Sequence, residues 1–229
     1  NRDLDDFTYV VSHDLKEPLI TIEGYSSIVQ QEFAEKLDEE AVDYLRSIIQ
    51  ATERLKRLID DLLTLSRVGR ARHELEMVNT KDVVLAVVRD LEFTIRENHA
   101  VVEIPEHLPS VLYDATQLGL VFRNLISNGI KFNRNEIPVI NISVEESTEH
   151  YVFCIKDNGI GIPDEYFEKI FVIFQRLHSA EVFPGTGAGL TIVKKIVERH
   201  GGKIWVESEV GRGTYFYFSV PRHLNSTVA

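Results

Sequence analysis

Two glycine-rich segments, each joined to a regular element, constrain the fold of this chain more than any other feature. The first, DNGIGIP at 157–163, follows an apolar run at 151–155 that predicts a β-strand. The second, GTGAGL at 185–190, precedes a helical pattern at 191–200. One glycine-rich turn is weak evidence, since most such turns are ordinary loops. Two turns that are each tied to a strand or a helix indicate a ligand site within an α/β domain.

The residues of both segments suit a bound nucleotide. Asp157, at the end of the strand, can accept a hydrogen bond from an exocyclic amine such as that of adenine. Gly159 and Gly161 would let the chain close over the base, because glycine permits tight turns and close approach. The free N–H groups at the start of the second helix attract phosphates, and this start is formed by Gly185, Gly187, Gly189 and Leu190.

A helix predicted over Ala115–Phe132 carries a further polar group. Asn124, Asn128 and Lys131 are spaced i, i+4 and i+7, so they share one helix face. Two amide oxygens can coordinate a hard cation, and Mg²⁺ commonly keeps waters and bridges phosphates, while the lysine adds positive charge for phosphate oxygens. The alternative is a plain polar face, but a separate apolar face is already provided by Leu120, Val121, Leu125 and Ile126.

Two long amphipathic helices are predicted in the first 70 residues. Apolar residues recur at helical spacing from about Leu4 to Phe33 and from about Glu39 to Val68. Two such helices have too little surface to bury both apolar stripes, which predicts pairing with a second copy into a four-helix bundle and hence a homodimer. His13 lies opposite the first stripe and should project into solvent, and Pro18 should bend the helix just after it.

The helical periodicity is lost at 68–73, where Gly69 is a natural stop. We therefore expect two domains, residues 1–70 and residues 71–229. In the second domain, predicted helices alternate with strands, which indicates an α/β sandwich with helices on one face of a mixed sheet. The helices are predicted near 80–96 and 115–132, and the strands near 101–104, 111–113, 139–144, 151–156, 203–207 and 214–220. The tail, 223–229, is expected to fray.

Five segments occur in the order typical of sensor histidine kinases, and their amino-acid sequences most resemble those of phytochrome-like members. SHDLKEPL at 12–19 resembles the H box of that family, and NLISNGIKF at 124–132 resembles the N box. The G1, F and G2 boxes are resembled by DNGIGIP, FEKIFVIFQRLH and PGTGAGL. The resemblance covers nearly the whole chain. It implies an α + α/β fold, in which a dimerisation and phosphotransfer hairpin precedes an α/β sandwich ATP-binding domain.

The resemblance also implies an activity: ATP-dependent autophosphorylation on His13, followed by phosphotransfer to an aspartate of a response-regulator receiver domain in two-component signal transduction. A neutral, exposed imidazole can attack a γ-phosphate. Asp14 would then be the base or orienting group, or else a solvated helix charge. ATP and Mg²⁺ are the implied cofactors, with Asn128 as the main Mg²⁺ ligand and Asn124 close by.

Two further residues have alternative roles under the resemblance. Thr214, in the last box, adds a hydroxyl or water contact to adenine, or is an ordinary strand residue after a glycine hairpin. Arg176 reaches the γ-phosphate, or is a plain surface charge. The segment between Leu177 and Pro184 is expected to form a mobile lid over ATP, against which the F-box aromatics Phe171 and Phe174 would pack.

Several positions depart from the family pattern. Glu17 stands where Thr or Asn is commonest, which puts phosphatase activity in question. Ala180 and Ala188 replace a basic and a larger apolar residue. Within the N box, Gly129 and Asn133 replace the usual Ala and the usual Thr or Ser, and we expect them to loosen the helix end.

Two other functions remain open at the level of the sequence. One is a degenerate kinase that holds nucleotide and a regulator without transferring phosphate. The departures from the family pattern at Glu17, Ala180 and Ala188 leave this hypothesis open. The other is an ATPase clamp of the same fold. ATP-hydrolysing relatives carry Glu at the position of Asn124 as a base for water, and an amide cannot take that proton, so transfer to His13 is favoured over hydrolysis.

Composition excludes some classes of function. The net charge of −11 argues against a nucleic-acid partner. The single cysteine, Cys154, excludes an intrachain disulfide and a cysteine metal cluster. No apolar run approaches the length of a membrane span. Because the chain begins inside a helical pattern, we expect an upstream sensor domain to be missing, with this part cytoplasmic and the full-length protein either soluble or membrane-attached.

Overall fold

The computed structural model of the chain describes residues 2–68, 75–177, 182–183 and 185–222, and for residues 2–13 it describes the backbone alone. Within these limits the chain divides into two compact units, 1–70 and 71–229. Four features predicted from the sequence lie wholly or partly outside the described residues: the linker around Gly69, the side chain of His13, much of the lid including Ala180, and the C-terminal tail.

The first unit is a helical hairpin. Helix α1 spans Arg2–Glu32 and continues through Pro18, a short 3-10 turn follows at Ala34–Lys36, and helix α2 spans Glu39–Val68. Asp38 accepts a hydrogen bond from the backbone N–H of Ala41 at 2.8 Å, which supplies a side-chain partner to the start of α2. The predicted bounds of both helices therefore agree with the structure.

The two helices of the hairpin contact each other through a small apolar cluster. Leu19 of α1 is buried with Ile59 and Leu63 of α2. Lys16 pairs with Asp60, and Lys56 pairs with Glu23 at 2.6 Å, so the ion pairs run in antiparallel register across the hairpin. Much of the predicted apolar stripe nevertheless stays exposed, including Leu15, Ile22, Ile48, Leu55 and Leu62.

The second unit alternates helices and strands. Its helices are α3 (Thr80–Asp90), α4 (Glu92–Glu97), α5 (Ala115–Lys131) and α6 (Gly189–Arg199). Its strands are β1 (Glu76–Asn79), β2 (Val101–Glu103), β3 (Ser110–Tyr113), β4 (Val139–Glu146), β5 (His150–Asp157), β6 (Ile204–Glu209) and β7 (Gly213–Pro221). Short 3-10 turns follow β5 at Asp164–Tyr166 and Lys169–Phe171.

The strands form a mixed five-stranded sheet in the order β2-β4-β5-β7-β6, and β1 pairs with β3 separately. Only β2 and β4 are parallel in the larger sheet. The structure differs from the sequence predictions in two details. Strand β1 was not predicted, because its four residues bury only Val78 and are too few to show alternation. The helix predicted over 80–96 is two helices that meet at Leu91.

The core lies between one face of the sheet and the layer formed by α5, α6 and α3. Phe122 of α5 meets Phe153 of β5 and Phe218 of β7 edge to face, with ring centroids 5.8 and 5.5 Å apart. Alternate residues of β5 are buried up to its last residue, Asp157, while Lys156 is exposed on the other face. The strand therefore carries a carboxylate into the helix-facing side of the sheet.

No helix among the described residues combines the length and the apolar content that crossing a membrane requires.

Candidate active site

Asp157 is a buried carboxylate at the end of β5 in the second unit. Its Oδ1 accepts hydrogen bonds from the backbone N–H groups of Gly159, at 2.8 Å, and Thr214, at 3.2 Å. Burial raises the pKa of Asp157 to about 6, and the two backbone hydrogen bonds oppose that rise. Above that pH the carboxylate is ionised, and Oδ2 can accept a hydrogen bond from a ligand amine.

The first glycine-rich segment is held against two other parts of the fold. The N–H of Ile160 donates to the carbonyl of Phe132 at 3.0 Å, and the N–H of Gly211 donates to the carbonyl of Ile160 at 2.9 Å. Gly161 adopts a φ of +73°, and a Cβ placed on it would lie 2.2 Å from the backbone oxygen of Glu209. Only glycine satisfies both the left-handed conformation and the close approach.

Replacing Gly161 with Ala is expected to lower the free energy of unfolding by about 3 kcal/mol or more, because left-handed strain of about 1–2 kcal/mol combines with overlap against backbone. Gly211→Ala is the matched control. Gly211 has a φ of +81°, but no atom would lie within 4 Å of its added Cβ. Its free energy of unfolding should therefore fall only by the cost of the left-handed strain. Urea denaturation of both variants measures the difference, and equal losses would contradict the role of the close approach.

An asparagine network joins the end of α5 to this segment. Asn158 Oδ1 accepts from Asn133 Nδ2 at 2.6 Å and from the N–H of Val139 at 2.8 Å. Asn135 Nδ2 donates to the carbonyl of Asn158. The helix end was expected to be loosened by Asn133, but the structure shows it tied to the turn after Asp157. The sequence signal for Asn158 was its place directly after that aspartate.

The predicted polar face of α5 lies against the second glycine-rich segment. Asn124 Nδ2 donates to the carbonyl of Leu120 at 2.8 Å, which leaves Oδ1 to accept. That Oδ1 would be 2.5 Å from a Cβ on Gly189, and Lys131 Nζ would be 2.6 Å from a Cβ on Gly185. The structure therefore brings both residues to the start of α6.

The third residue of that face, Asn128, lies between the other two along α5 and is half-buried. Helix α6 begins at Gly189 and Leu190, and the preceding Ala188 is buried and provides no side-chain cap for the helix. Backbone N–H groups in the first turn of an α-helix have no partner within the helix, so they suit an anion. Gly187 has a φ of +82°, and a Cβ placed on it would lie 2.9 Å from the carbonyl oxygen of Gln175.

Arg176 is half-buried and contacts backbone. Its guanidinium donates to the carbonyls of Phe183 and Gly185, both at 2.5 Å. Phe183 is buried and packs on Phe132, with ring centroids 5.0 Å apart. In this structure Arg176 holds the segment before α6. The nearby F-box residue Phe174 is 44% exposed and has a φ of +61°, a strained conformation for an aromatic residue.

The side chains that could hold a metal in the second unit are amides. No group of three or more His, Cys, Asp or Glu residues that could hold an ion occurs among the described residues. Asn124 presents an amide oxygen toward the start of α6, and Asn128 shares its helix face. A cation that brings phosphate oxygens with it, as Mg²⁺ does, fits such a sparse donor set.

In the first unit, Asp14 and Glu17 are exposed on α1. Both follow the predicted phosphoacceptor along the helix, since Asp14 comes directly after His13 and Glu17 lies one turn further on.

Comparison with known proteins covers both units. Residues 3–71 match the His Kinase A (phospho-acceptor) domain family, and residues 113–224 match the family described as histidine kinase-, DNA gyrase B-, and HSP90-like ATPase. The phytochrome-like protein Cph1 of Synechocystis sp. is 42% identical over 221 residues, which are 96% of this chain and 29% of the relative. The chain thus spans less than a third of the length of that relative.

Solved structures give the same result. The catalytic domain of histidine kinase ThkA is 32% identical with a TM-score of 0.55, and the match covers 65% of this chain and 96% of that one. ThkA in complex with the response regulator protein TrrA is 26% identical with a TM-score of 0.64, and the match covers 95% of this chain and 61% of that one. Full-length ShkA in complex with AMPPNP shares the fold, with a TM-score of 0.72 at 24% identity, and the match covers 94% of this chain and 45% of that one.

Proposed function

The chain belongs to the histidine kinase family, and from that premise we propose that it transfers the γ-phosphoryl group of ATP to His13 and then to an aspartate of a response-regulator receiver domain. The observation that carries this proposal is the arrangement of polar groups on α5, α6 and β5 in the second unit. The amide and lysine face of α5 lies against the start of α6, and the buried carboxylate of Asp157 lies at the end of β5.

Each part of that site has a proposed task. Asp157 accepts from the adenine amine, with Thr214 beside it and Gly159 and Gly161 shaping the turn. The phosphates lie at the start of α6, at Gly185, Gly187, Gly189 and Leu190, where backbone N–H groups and Lys131 offset their charge. Arg176 keeps this segment in place by binding its carbonyls.

Asn128 and Asn124 would hold Mg²⁺, which supplies charge neutralisation on the phosphate oxygens when bound. In the transfer, a ring nitrogen of His13 attacks the γ-phosphorus in line. The new N–P bond forms as the bond to the β,γ-bridging oxygen breaks, and ADP leaves. Asp14 orients the imidazole or takes its ring proton.

Asn124 favours transfer over hydrolysis, because its amide cannot take a proton from water. Incubation with γ-labelled ATP and Mg²⁺ separates the candidate functions. Acid-labile label on the protein is the expected result. Free phosphate without labelled protein would favour the ATPase clamp, and nucleotide binding without either product would favour the degenerate kinase.

We also propose that the hairpin dimerises. Its apolar stripe is only partly buried within one chain, and the exposed part includes Ile22, Ile48, Leu55 and Leu62. A second copy of the hairpin would cover these side chains in a four-helix bundle.

The receiver domain of the regulator would bind near His13 on that bundle. We propose that the reaction takes place in the cytoplasm, where ATP and a response regulator would be available. The greater length of the phytochrome-like relative supports a sensor region in the full-length protein.

Leu55→Glu is expected to weaken the dimer at least about 100-fold. The proposed interface would bury one Leu55 from each of the two chains, and the substitution places a charge at both positions. Leu55 is 45% exposed in the single chain, so the monomer should still fold. Gln50→Glu, exposed on the same helix, is the charge-matched control. Sedimentation velocity across a concentration series gives the dissociation constants, and an unchanged constant for Leu55→Glu would remove this face from the interface.

A further inference from the structure

Three polar side chains form a row across adjacent strands on the helix-facing side of the sheet. Asp157 ends β5, Thr214 lies near the start of β7, and Ser208 lies opposite Thr214 in the β6–β7 register. Thr214 is 4% exposed and Ser208 is half-buried. Asp157 and Thr214 were predicted from the sequence, but Ser208 was not.

The hydroxyl of Ser208 has three partners. Its Oγ lies 2.8 Å from the carbonyl oxygen of Gly213, 2.8 Å from the backbone nitrogen of Ile162 and 3.0 Å from Thr214 Oγ1. A serine hydroxyl has one hydrogen to donate and two lone pairs to accept with. A carbonyl oxygen can only accept, so the hydrogen of Ser208 goes to Gly213. The N–H of Ile162 takes one lone pair, and the second lone pair is left for Thr214.

This count determines the direction of the Thr214 hydroxyl. Because Ser208 has already used its hydrogen, Thr214 must donate to Ser208, and its own lone pairs then point away from Ser208. Asp157 Oδ1 is occupied by the N–H groups of Gly159 and Thr214, which leaves Oδ2 as an acceptor. The row therefore presents only hydrogen-bond acceptors to a ligand.

We infer that Ser208 is a specificity-determining residue, which holds the Thr214 hydroxyl as an acceptor and thereby selects a 6-amino purine over a 6-oxo purine. The inference rests on the proposed nucleotide site. An exocyclic amine donates to acceptors, whereas a 6-oxo group is itself an acceptor and would face lone pairs at the same place. Without Ser208 the Thr214 hydroxyl can rotate and donate to the 6-oxo group, so the selection should weaken.

The test compares the affinities of ADP and inosine diphosphate by titration calorimetry with Mg²⁺. The native chain should prefer ADP, and Ser208→Ala should lower that preference about tenfold, the effect of one hydrogen bond. Ser208→Thr retains the hydroxyl and should restore the preference. Ser219→Ala is the matched control, because Ser219 Oγ accepts from the N–H of Lys203 at 2.8 Å in the same strand pair, where it is paired with Lys203 instead of Thr214.

The outcomes separate the inference from the proposed function. A native preference that survives in Ser208→Ala would overturn the inference alone. A native chain that binds neither nucleotide would overturn the proposed function and the inference with it. If Ser208→Ala fails to fold, Thr214→Val decides the question, because it removes the oriented oxygen in a side chain of the same shape. An unchanged preference in Thr214→Val would then overturn the inference.

Discussion

Replacing His13 with Gln is expected to lower acid-labile labelling of the chain to below about 1% of the native level, because an amide nitrogen has no available lone pair with which to attack phosphorus. The change leaves the second unit untouched, so the affinity for ADP should stay within about twofold of the native value. Filter binding of label from γ-labelled ATP, before and after acid treatment, measures the loss.

The control for this variant is another histidine replaced in the same way. His107 is exposed in the second unit, and no function is proposed for it, so His107→Gln should label like the native chain. Equal labelling of His13→Gln and the native chain would show that a different residue accepts the phosphoryl group. Loss of labelling in both variants would show that the effect is not specific to His13.

Replacing Asp157 with Asn is expected to weaken ADP binding about 100-fold and at the same time to stabilise the nucleotide-free chain. Binding weakens because an amide nitrogen takes the place of one carboxylate oxygen, so a donor faces the donating amine of the base. Stability rises because burial opposes the charged form of Asp157, as its raised pKa of about 6 shows. A neutral amide avoids that cost and keeps an oxygen for the N–H groups of Gly159 and Thr214.

The stabilisation should depend on pH with a definite sign. The folded pKa of about 6 lies above the ordinary value of 3.8, so Asp157 contributes stability below pH 3.8 that is lost as the pH rises through about 6. A difference of about two pKa units corresponds to about 3 kcal/mol. The free energy of unfolding of Asp157→Asn, measured by urea denaturation, should therefore exceed that of the native chain by up to about 3 kcal/mol at pH 8. The excess should be about half of that at pH 5.

Asp164→Asn serves as the control, because Asp164 is an exposed carboxylate just after the same turn. It should change neither ADP affinity nor the pH dependence of stability by more than about 0.5 kcal/mol. If Asp157→Asn were less stable than the native chain at pH 8, the buried charge would not be destabilising. If it bound ADP as tightly as the native chain, Asp157 would not contact the base.

Some parts of the fold follow from local sequence and others depend on long-range contacts. The helix face of Asn124 and Lys131 followed from spacing alone, because positions four and seven residues apart share a face in any α-helix. Strand β1 escaped prediction because it is short and is stabilised by pairing with β3, far along the chain. Arg176 had two possible roles in the sequence, and only the fold placed its guanidinium against the carbonyls of Phe183 and Gly185.

Motif order and helical periodicity are local properties, so the sequence alone predicted the family, the two-part organisation and the residue types of the proposed nucleotide site. How the polar groups of that site share their hydrogens depends instead on long-range contacts in the folded chain. Asp157 receives the N–H of Thr214 from 57 residues away, and Ser208 receives the N–H of Ile162 from 46 residues away. Such pairings depend on which strands become neighbours, and strand order is not encoded in the spacing of residues along the chain.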